Sequence, residues 1–259
     1  MTDFSIYQDT EKPILGGMCE KAEIQIGGTR YIIKYQSITD LGPIYNHVSE
    51  YLGSHVFDLL GVPVQDTMLG TYKGKNVVLI KNFCGPGEKL ITYNHLGESI
   101  IEKHPEMFEN AQEVIERYWD MFIIDALNGN SDRHGGNWGF IEKANKLYPA
   151  PVFDNDCCMY PTINDDKQII EILCSASGSA NAVISPSVSQ IKHNGRRLSY
   201  FDVINSKSYY ECNKAVERIC NNFNIRKIFR LINDIPNISA ERKLFYKKMY
   251  RLNLYNILK

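Results

Sequence analysis

The first part of the chain alternates apolar and polar positions in short runs that predict β-strands. Two of these runs are Ala22–Ile26 and Thr29–Tyr35, and Gly27–Gly28 lies between them. A pair of glycines predicts a two-residue hairpin turn, because glycine adopts positive φ at both turn positions without steric cost. Val64–Tyr72 and Asn76–Phe83 predict two further strands, joined by another short turn.

A helical period separates the two pairs of strands. From Pro43 to Leu60, apolar residues recur every three to four positions, which predicts an amphipathic helix that ends at Gly61. The region before residue 84 is therefore predicted to be β-β-α-β-β. Cys84-Gly85-Pro86-Gly87 then breaks the pattern and is typical of a hinge.

The rest of the chain is dominated by helical patterns. Short strands are predicted around Trp138–Ile141 and Tyr148–Phe153, and a mobile loop over the Ser-, Ala- and Gly-rich segment Ser175–Ser189. The predicted helices are Glu106–Leu127, Ser208–Asn222, Ile225–Ile232 and Ala240–Leu254. The pattern indicates an α+β, bilobal fold with a small β-rich N-lobe over residues 1–86, a larger helical C-lobe over residues 87–259, and a cleft between them.

Charge and cysteine content narrow the function classes. The 259 residues carry 29 Lys and Arg against 30 Asp and Glu, so the chain has no overall attraction for nucleic acid or anionic lipid. Apolar stretches such as Trp119–Leu127 are too short to span a bilayer, and Met1–Lys12 is too polar for a signal peptide. The seven cysteines show no zinc-finger spacing. We therefore expect reduced thiols in a cytoplasmic protein with neither a nucleic-acid nor a membrane partner, although export without a cleaved signal stays open.

The densest polar cluster follows the long predicted helix, as Asn128-Gly129-Asn130-Ser131-Asp132-Arg133-His134-Gly135-Gly136-Asn137. Phosphoryl transfer needs a carboxylate to position the attacking hydroxyl and hard oxygen ligands for Mg²⁺. Protein kinases supply them as Asp, then Asn five residues later, then a second Asp after a short hairpin. Asp132, Asn137 and Asp154 have this order and spacing. The alternative is a turn that only caps a helix, but the helix-to-strand junction and the second carboxylate favour kinase chemistry.

The N-terminal half offers the remaining parts of a phosphate clamp. Gly16-Gly17-Met18-Cys19-Glu20-Lys21 directly precedes the first predicted strand, and Lys34 lies near the end of the second. A glycine-containing turn and a strand lysine are the groups that kinases use to hold nucleotide phosphates. Glu50, in the following helix, is either a partner of Lys34 or an exposed helix residue.

These motifs resemble the HipA-like serine/threonine kinases, which are bacterial toxin kinases, and within them the short cell-translocating subgroup. The string from Gly129 to Asn137 is similar to that family's catalytic loop, Gly16–Lys21 to its nucleotide loop, and Ile32-Ile33-Lys34 to its ATP-lysine strand. The stretch from Lys192 to Tyr200 is similar to one that follows the activation segment in that subgroup. The resemblance implies a protein-kinase-like fold and the use of ATP and Mg²⁺.

The resemblance also assigns residue roles. Asp132 would orient the substrate hydroxyl and accept its proton, while Asn137 and Asp154 would hold Mg²⁺. His134 would contact the phosphates or, in our preferred interpretation, brace the loop. The implied nucleotide-binding residues are Gly16, Gly17, Met18, Cys19, Glu20, Lys21 and Lys34 at the phosphates, the backbone groups of Lys81 and Phe83 at the adenine, and Asp154 through the metal.

Two departures from the family pattern affect regulation and the nucleotide loop. Ile14 stands where the family usually has the serine of inhibitory autophosphorylation, and Cys19 stands where it has Gln. The family's antitoxin-docking N-terminal subdomain has no counterpart here, so we expect a possible antitoxin partner to be different, separately encoded or absent. The expected partner is a protein with a Ser or Thr acceptor. A small-molecule or lipid kinase and a non-catalytic nucleotide-binding module are the alternatives.

Overall fold

The main β-sheet has five strands in the order β1-β6-β7-β3-β2. The structure is a computed structural model, and it describes residues 1–10, 20–97, 99–174 and 188–259. The strands are β1 Thr2–Asp3, β2 Lys21–Ile26, β3 Thr29–Tyr35, β4 Ile38–Thr39, β5 Gly42–Pro43, β6 Thr67–Tyr72, β7 Lys75–Lys81, β8 Lys89–Thr92, β9 Gly139–Lys143, β10 Lys146–Pro149, β11 Val188–His193 and β12 Arg196–Ser199. The helices are α1 Asn46–Leu59, α2 Ile100–Lys103, α3 Ala111–Asn128, α4 Asp166–Cys174, α5 Tyr200–Asn205, α6 Tyr210–Asn222, α7 Ile225–Asp234 and α8 Ala240–Leu258.

The predicted hairpin forms the edge of this sheet. Strands β2 and β3 pair in antiparallel register around Gly27 and Gly28, both of which have positive φ. Strand β3 also pairs with β7, which places Lys34 opposite Lys21 on one side and Val78 on the other. At the opposite edge, β1 runs parallel to β6.

Helix α1 belongs to the same hydrophobic core as the helices of the C-terminal half. Its buried residues Val48, Leu52, Val56 and Phe57 lie in one cluster with side chains of α3, α5, α6 and α8. A separate, smaller cluster covers the sheet's other face. Because α1 also packs on β6 and β7, it holds the sheet against the helical part.

The helix and strand predictions hold with shifted boundaries. Helix α3 begins at Ala111 and not at Glu106, because the Asn110 side chain accepts a hydrogen bond from Glu113 N (3.2 Å) and caps the helix there. Pro105–Met107 forms a separate 3-10 turn. Strand β8, which was not predicted from the sequence, pairs with β9 and so joins the segment that follows the hinge to the strand that follows Asn137.

The later elements were predicted less completely. Helices α2, α4 and α5 and the β11–β12 hairpin were not predicted, and the hairpin begins at Val188, inside the segment expected to be a loop. The rest of that segment, residues 175–187, lies outside the described residues. The six described cysteines are free, as expected. Within the described ranges, no helix has both the length and the apolar character needed to cross a membrane.

Candidate active site

Lys34 lies at the centre of a cluster of carboxylates in the cleft. Its Nζ lies 2.5 Å from Oε2 of Glu50, 2.5 Å from Oδ1 of Asp154 and 3.4 Å from Oδ2 of Asp156. Burial disfavours the charged ammonium, but the three carboxylates outweigh it, and the pKa of Lys34 ends well above its ordinary value. Lys34 is therefore a fixed cation, held between β3, α1 and the segment that follows β10.

Glu50 is the fully buried anchor of this cluster. Its Oε1 accepts a hydrogen bond from the Gln65 amide and another, of 2.8 Å, from the backbone N–H of Asn155. Its second oxygen contacts Lys34. The structure thus decides between the two interpretations of Glu50: it is the partner of Lys34 and not an exposed helix residue. By bonding Asn155, it also ties α1 directly to the segment that carries Asp154.

Asp154 is positioned for an electrostatic role at the cleft. It has φ of +61°, a left-handed conformation that non-glycine residues seldom adopt. Burial would raise the pKa of its carboxyl group, but Lys34 outweighs this effect, and the pKa is lowered. One carboxylate oxygen each of Glu50, Asp154 and Asp156 lies within 4.8 Å of the other two. Asp154 is accordingly an ionised carboxylate at neutral pH and suits a hard divalent cation.

The loop that carries Asp132 begins at the end of α3. Gly129 ends the helix with φ of +59°. The chain then turns through the next residue, Asn130, whose Oδ1 accepts a 3.0 Å hydrogen bond from the backbone N–H of Asp132. The Asp132 side chain is 52 % exposed. This loop conformation therefore presents the carboxylate to solvent at the cleft, where an incoming hydroxyl can reach it.

His134 and Asn137 stabilise the conformation of this loop. The Nδ2 of Asn137 donates to the carbonyl oxygen of Asp132 (2.8 Å), which leaves the amide Oδ1 as the atom able to bind a cation. His134 Nδ1 accepts from the N–H of Gly136 (2.9 Å), and Nε2 lies 3.9 Å from Oδ2 of Asp132. Both contacts of His134 lie within the loop, and its bracing role stays a prediction.

Arg133 joins three segments that are far apart in sequence. Its guanidinium is buried and bonds both carboxylate oxygens of Asp125 on α3, at 2.8 and 3.0 Å. It also donates to the carbonyls of Asn137 (2.6 Å) and Phe153 (2.5 Å) and to Oδ1 of Asn155 (2.5 Å). The helix, the Asp132 loop and the Asp154 segment are therefore held together by one side chain.

Of the backbone groups predicted to contact adenine, at Lys81 and Phe83, the N–H of Lys81 already has a hydrogen-bond partner. The N–H of Lys81 donates to the carbonyl of Asp66 (3.0 Å) inside the sheet, so this donor is already used. Phe83 lies at the hinge, with its ring 6.0 Å from that of Phe153, the residue before Asp154. The cleft therefore has an aromatic pair at the hinge.

The two described residues of the predicted nucleotide loop differ in their surroundings. Lys21 pairs with Lys34 across β2 and β3 and is close enough to Asp154 to lower the pKa of that carboxyl group. Glu20 pairs instead with Lys75, at 3.1 Å on the protein surface. The rest of the loop, which includes Gly16, Gly17, Met18 and Cys19 as well as Ile14, lies outside the described residues.

The sequence reasoning missed several supporting residues, namely Asp125, Asn130, Gln65 and Asn155. For Asp125 a signal was available, because it interrupts the apolar run Met121–Leu127. A carboxylate within an apolar helix segment is costly unless a cation is nearby. No such signal marks Gln65, which is separated from Glu50 by a full helical segment and a turn.

Protein kinases have a strand lysine that is ion-paired to a helix glutamate, as Lys34 and Glu50 are here. They also have one loop with an Asp and an Asn and a second with an Asp at the cleft. Residues 14–226 match the HipA-like C-terminal domain family. The chain is 34 % identical to serine/threonine-protein kinase CtkA of Helicobacter pylori over 221 residues, which is 78 % of this chain and 67 % of that protein.

Solved structures show the same relationship. The crystal structure of the Helicobacter pylori proinflammatory kinase CtkA matches 99 % of this chain and 95 % of that chain, with a TM-score of 0.88 and 28 % identity. Shewanella oneidensis HipA, solved with HipB and operator DNA, matches 98 % of this chain and 66 % of that chain, with a TM-score of 0.53 and 13 % identity, and so supports the fold alone.

The fold and the cleft therefore define a protein of the kinase class, which confirms the predicted bilobal fold. Within that class, the chain belongs to the HipA-like C-terminal domain family and is a serine/threonine kinase.

Proposed function

We propose that this protein transfers the γ-phosphoryl group of ATP to a Ser or Thr hydroxyl of a protein substrate, with Asp132 as the catalytic carboxylate. The observation that carries the proposal is the contact of Lys34 with both Glu50 and Asp154. It brings the strand lysine, the α1 glutamate and the candidate metal-binding carboxylate into one cluster.

Each residue has a defined task in this proposal. Asp132 accepts a hydrogen bond from the substrate hydroxyl, orients its oxygen toward the γ-phosphorus and takes its proton as the new O–P bond forms. The bond between the γ-phosphorus and the β,γ-bridging oxygen breaks in the same step, and ADP leaves. Lys34 lies within reach of phosphate oxygens and offsets their charge. His134 and Asn137 keep Asp132 in place, through the contacts described above.

The donor set fits Mg²⁺. Asp154 supplies an ionised carboxylate and Asn137 an amide oxygen, both of which are hard ligands. When bound, Mg²⁺ would neutralise negative charge on the transferring phosphate. The Nη1 of Arg133 donates to the backbone carbonyls of both Asn137 and Phe153, the residue before Asp154. This shared donor holds the two segments together and supports the proposal that Asn137 and Asp154 bind the same ion.

Substrate and partner are proposed more broadly. The substrate is a protein, by analogy with the relatives described above. A growth-inhibiting role with an antitoxin partner is consistent with the HipA–HipB assembly of Shewanella oneidensis.

The test is the transfer of radiolabelled γ-phosphate, in the presence of Mg²⁺, to the protein itself and to a panel of generic protein substrates. We expect Asp132→Asn to abolish labelling while nucleotide affinity changes little. Asp58→Asn, at an exposed position on α1, is the matched control and should retain activity. Transfer by Asp132→Asn at the wild-type rate would refute the assignment of Asp132.

A second experiment tests the metal site. Asp154→Ala should remove the Mg²⁺ dependence of nucleotide binding, measured by calorimetry with and without the ion. Unchanged Mg²⁺-dependent affinity in this variant would refute the role of Asp154. Nucleotide binding by the wild type with no transfer to any protein would favour a small-molecule kinase or a binding module instead.

A further inference from the structure

A cavity of about 650 Å³ lies in the helical part beside the Asp132 loop. Gly135 and Arg133 of that loop form part of its wall, and Gln190, Ile191 and Lys192 of β11 form part of its rim. The remaining wall comes from α3, from the segment that follows β8, from Trp138 and from Tyr200 of α5. This volume is in the range that holds a small ligand or a few amino-acid side chains.

Six aromatic side chains contribute to the described part of the lining. They are Tyr93, Tyr118, Trp119, Phe122, Trp138 and Tyr200. Tyr93 stacks on Trp138 with ring centroids 4.4 Å apart, and Tyr118 lies 5.4 Å from the same indole. The charged groups in the wall, Asp125 and Arg133, already pair with each other. The interior of the cavity is therefore suited to an apolar or aromatic group.

Part of the cavity wall and the candidate catalytic residue Asp132 belong to the same loop. Gly135 follows Asp132 by three residues, and its carbonyl accepts a 2.9 Å hydrogen bond from the backbone N–H of Asn94. A Cβ at Gly135 would lie 2.2 Å from the side-chain oxygen of Asn94, so the two segments are in close contact. A polypeptide whose hydroxyl reaches Asp132 can therefore place a residue a few positions away at the cavity, since an extended chain advances about 3.3 Å per residue.

The rim of the cavity is positively charged. In the β11–β12 hairpin, Lys192 is opposite Arg197, and both are exposed. Among the described residues, neither cation has an ion pair, and the hairpin contains no Asp or Glu. Like charges opposite each other on a ladder are unfavourable, so an anionic partner at this position would relieve the repulsion.

We propose that this cavity and hairpin are the docking site for the protein substrate. An aromatic or large apolar side chain of the substrate enters the cavity, and Asp or Glu residues of the same segment lie against Lys192 and Arg197. The inference rests on the proposed kinase function and specifies its substrate class as acidic segments with an aromatic residue near the Ser or Thr acceptor.

The test uses synthetic peptides with one Ser acceptor, one Phe placed two to five residues from it, and either Asp or Lys flanks. For the wild type we expect kcat/KM to be about tenfold higher for the Asp-flanked peptides, and this preference to fall at high salt. The variant with Lys192→Glu and Arg197→Glu should reverse the preference. Lys227→Glu, an exposed charge reversal on α7, is the control and should leave it unchanged.

A cavity-filling variant tests the apolar part separately. Ile115→Trp adds bulk from α3 into the cavity, and it should raise KM for Phe-containing peptides at least fivefold. It should leave unchanged KM for ATP, the rate of ATP hydrolysis without peptide, and KM for peptides with Ala in place of Phe.

The outcomes separate the two proposals. Peptide phosphorylation that ignores Phe, flanking charge and both variants would overturn the docking site and leave the kinase function standing. Absence of transfer to every peptide and protein, with nucleotide still bound, would overturn the proposed function and the docking site together. Altered self-association of Ile115→Trp with unchanged peptide KM would assign the cavity to a second copy of the chain and overturn the inference.

Discussion

Replacement of Arg133 by Met should be among the most damaging single changes outside the hydrophobic core. The substitution keeps an unbranched side chain of comparable length and removes the guanidinium. It leaves the fully buried carboxylate of Asp125 with the amide of Asn130 as its remaining partner in the described network. It also removes the donor to the carbonyls of Asn137 and Phe153.

The magnitude follows from burial. Removal of one partner of a buried ion pair costs about 3–5 kcal/mol, because the other charge stays buried without compensation. The total stability of a protein is about 5–15 kcal/mol, so Arg133→Met should remove a large fraction of it. Arg133→Lys keeps the charge but lacks the planar guanidinium that reaches α3, the Asp132 loop and the Asp154 segment at once. Its free energy of unfolding should be about 2 kcal/mol lower than that of the wild type.

The same α3 helix provides a matched control. Arg218 bonds Oδ1 of Asp120 at 2.8 Å, but its side chain is 36 % exposed. Exposed pairs contribute about 0–1 kcal/mol, so Arg218→Met should change the stability by no more than that. The comparison holds the type of substitution and the partner helix constant and varies the burial.

Urea unfolding followed by fluorescence of Trp119 and Trp138 measures the free energy of unfolding of each variant. If Arg133→Met fails to fold, the double variant with Asp125→Leu removes both charges and should recover part of the lost stability. A loss below about 1 kcal/mol for Arg133→Met, or a loss equal to that of Arg218→Met, would refute the reasoning. In the folded Arg133→Lys variant, kcat should also fall, because the Asp132 and Asp154 segments lose shared contacts.

Three further predictions concern the cleft. Gly135→Ala should reduce transfer without unfolding the protein, because its Cβ would lie 2.2 Å from the side-chain oxygen of Asn94; wild-type kcat would contradict this. Asp154 has a lowered pKa in the folded state, so its ionised form stabilises the fold. Urea titration at each pH should show a constant difference in unfolding free energy between wild type and Asp154→Asn from about pH 8 to 5, and a smaller difference below about pH 4. Burial and nearby carboxylates raise the pKa of Cys157, so mass spectrometry should show slower alkylation of Cys157 than of exposed Cys174 at pH 8; equal rates would contradict it.

The sequence predicted the parts of the fold that depend on local periodicity. The β2–β3 hairpin could be predicted because Gly27–Gly28 satisfies a turn geometry that few other residues tolerate. Helix α1 could be predicted because its apolar residues recur at helical spacing over four turns. Strands β8 and β11 could not, since short partly exposed strands are stabilised by their partner strands and carry little signal of their own.

Part of the candidate site was also predictable from order and spacing alone. Asp132, Asn137 and Asp154 were identified because kinase chemistry places the catalytic carboxylate and the metal ligands at fixed intervals around one hairpin. Their roles in catalysis stay predictions that the proposed assays test.

Only the tertiary structure decided how these residues act together. Lys34 meets Asp154 across a separation of 120 residues, and buried Glu50 bonds the backbone N–H of Asn155 in the segment that carries Asp154. Both contacts depend on the packing of α1 between the sheet and the helical core. Arg133 joins α3 to two loops in the same way. Such contacts form only when long-range packing brings the groups together, and burial then strengthens their electrostatic interaction. Neither the packing nor the burial is determined by a local stretch of sequence.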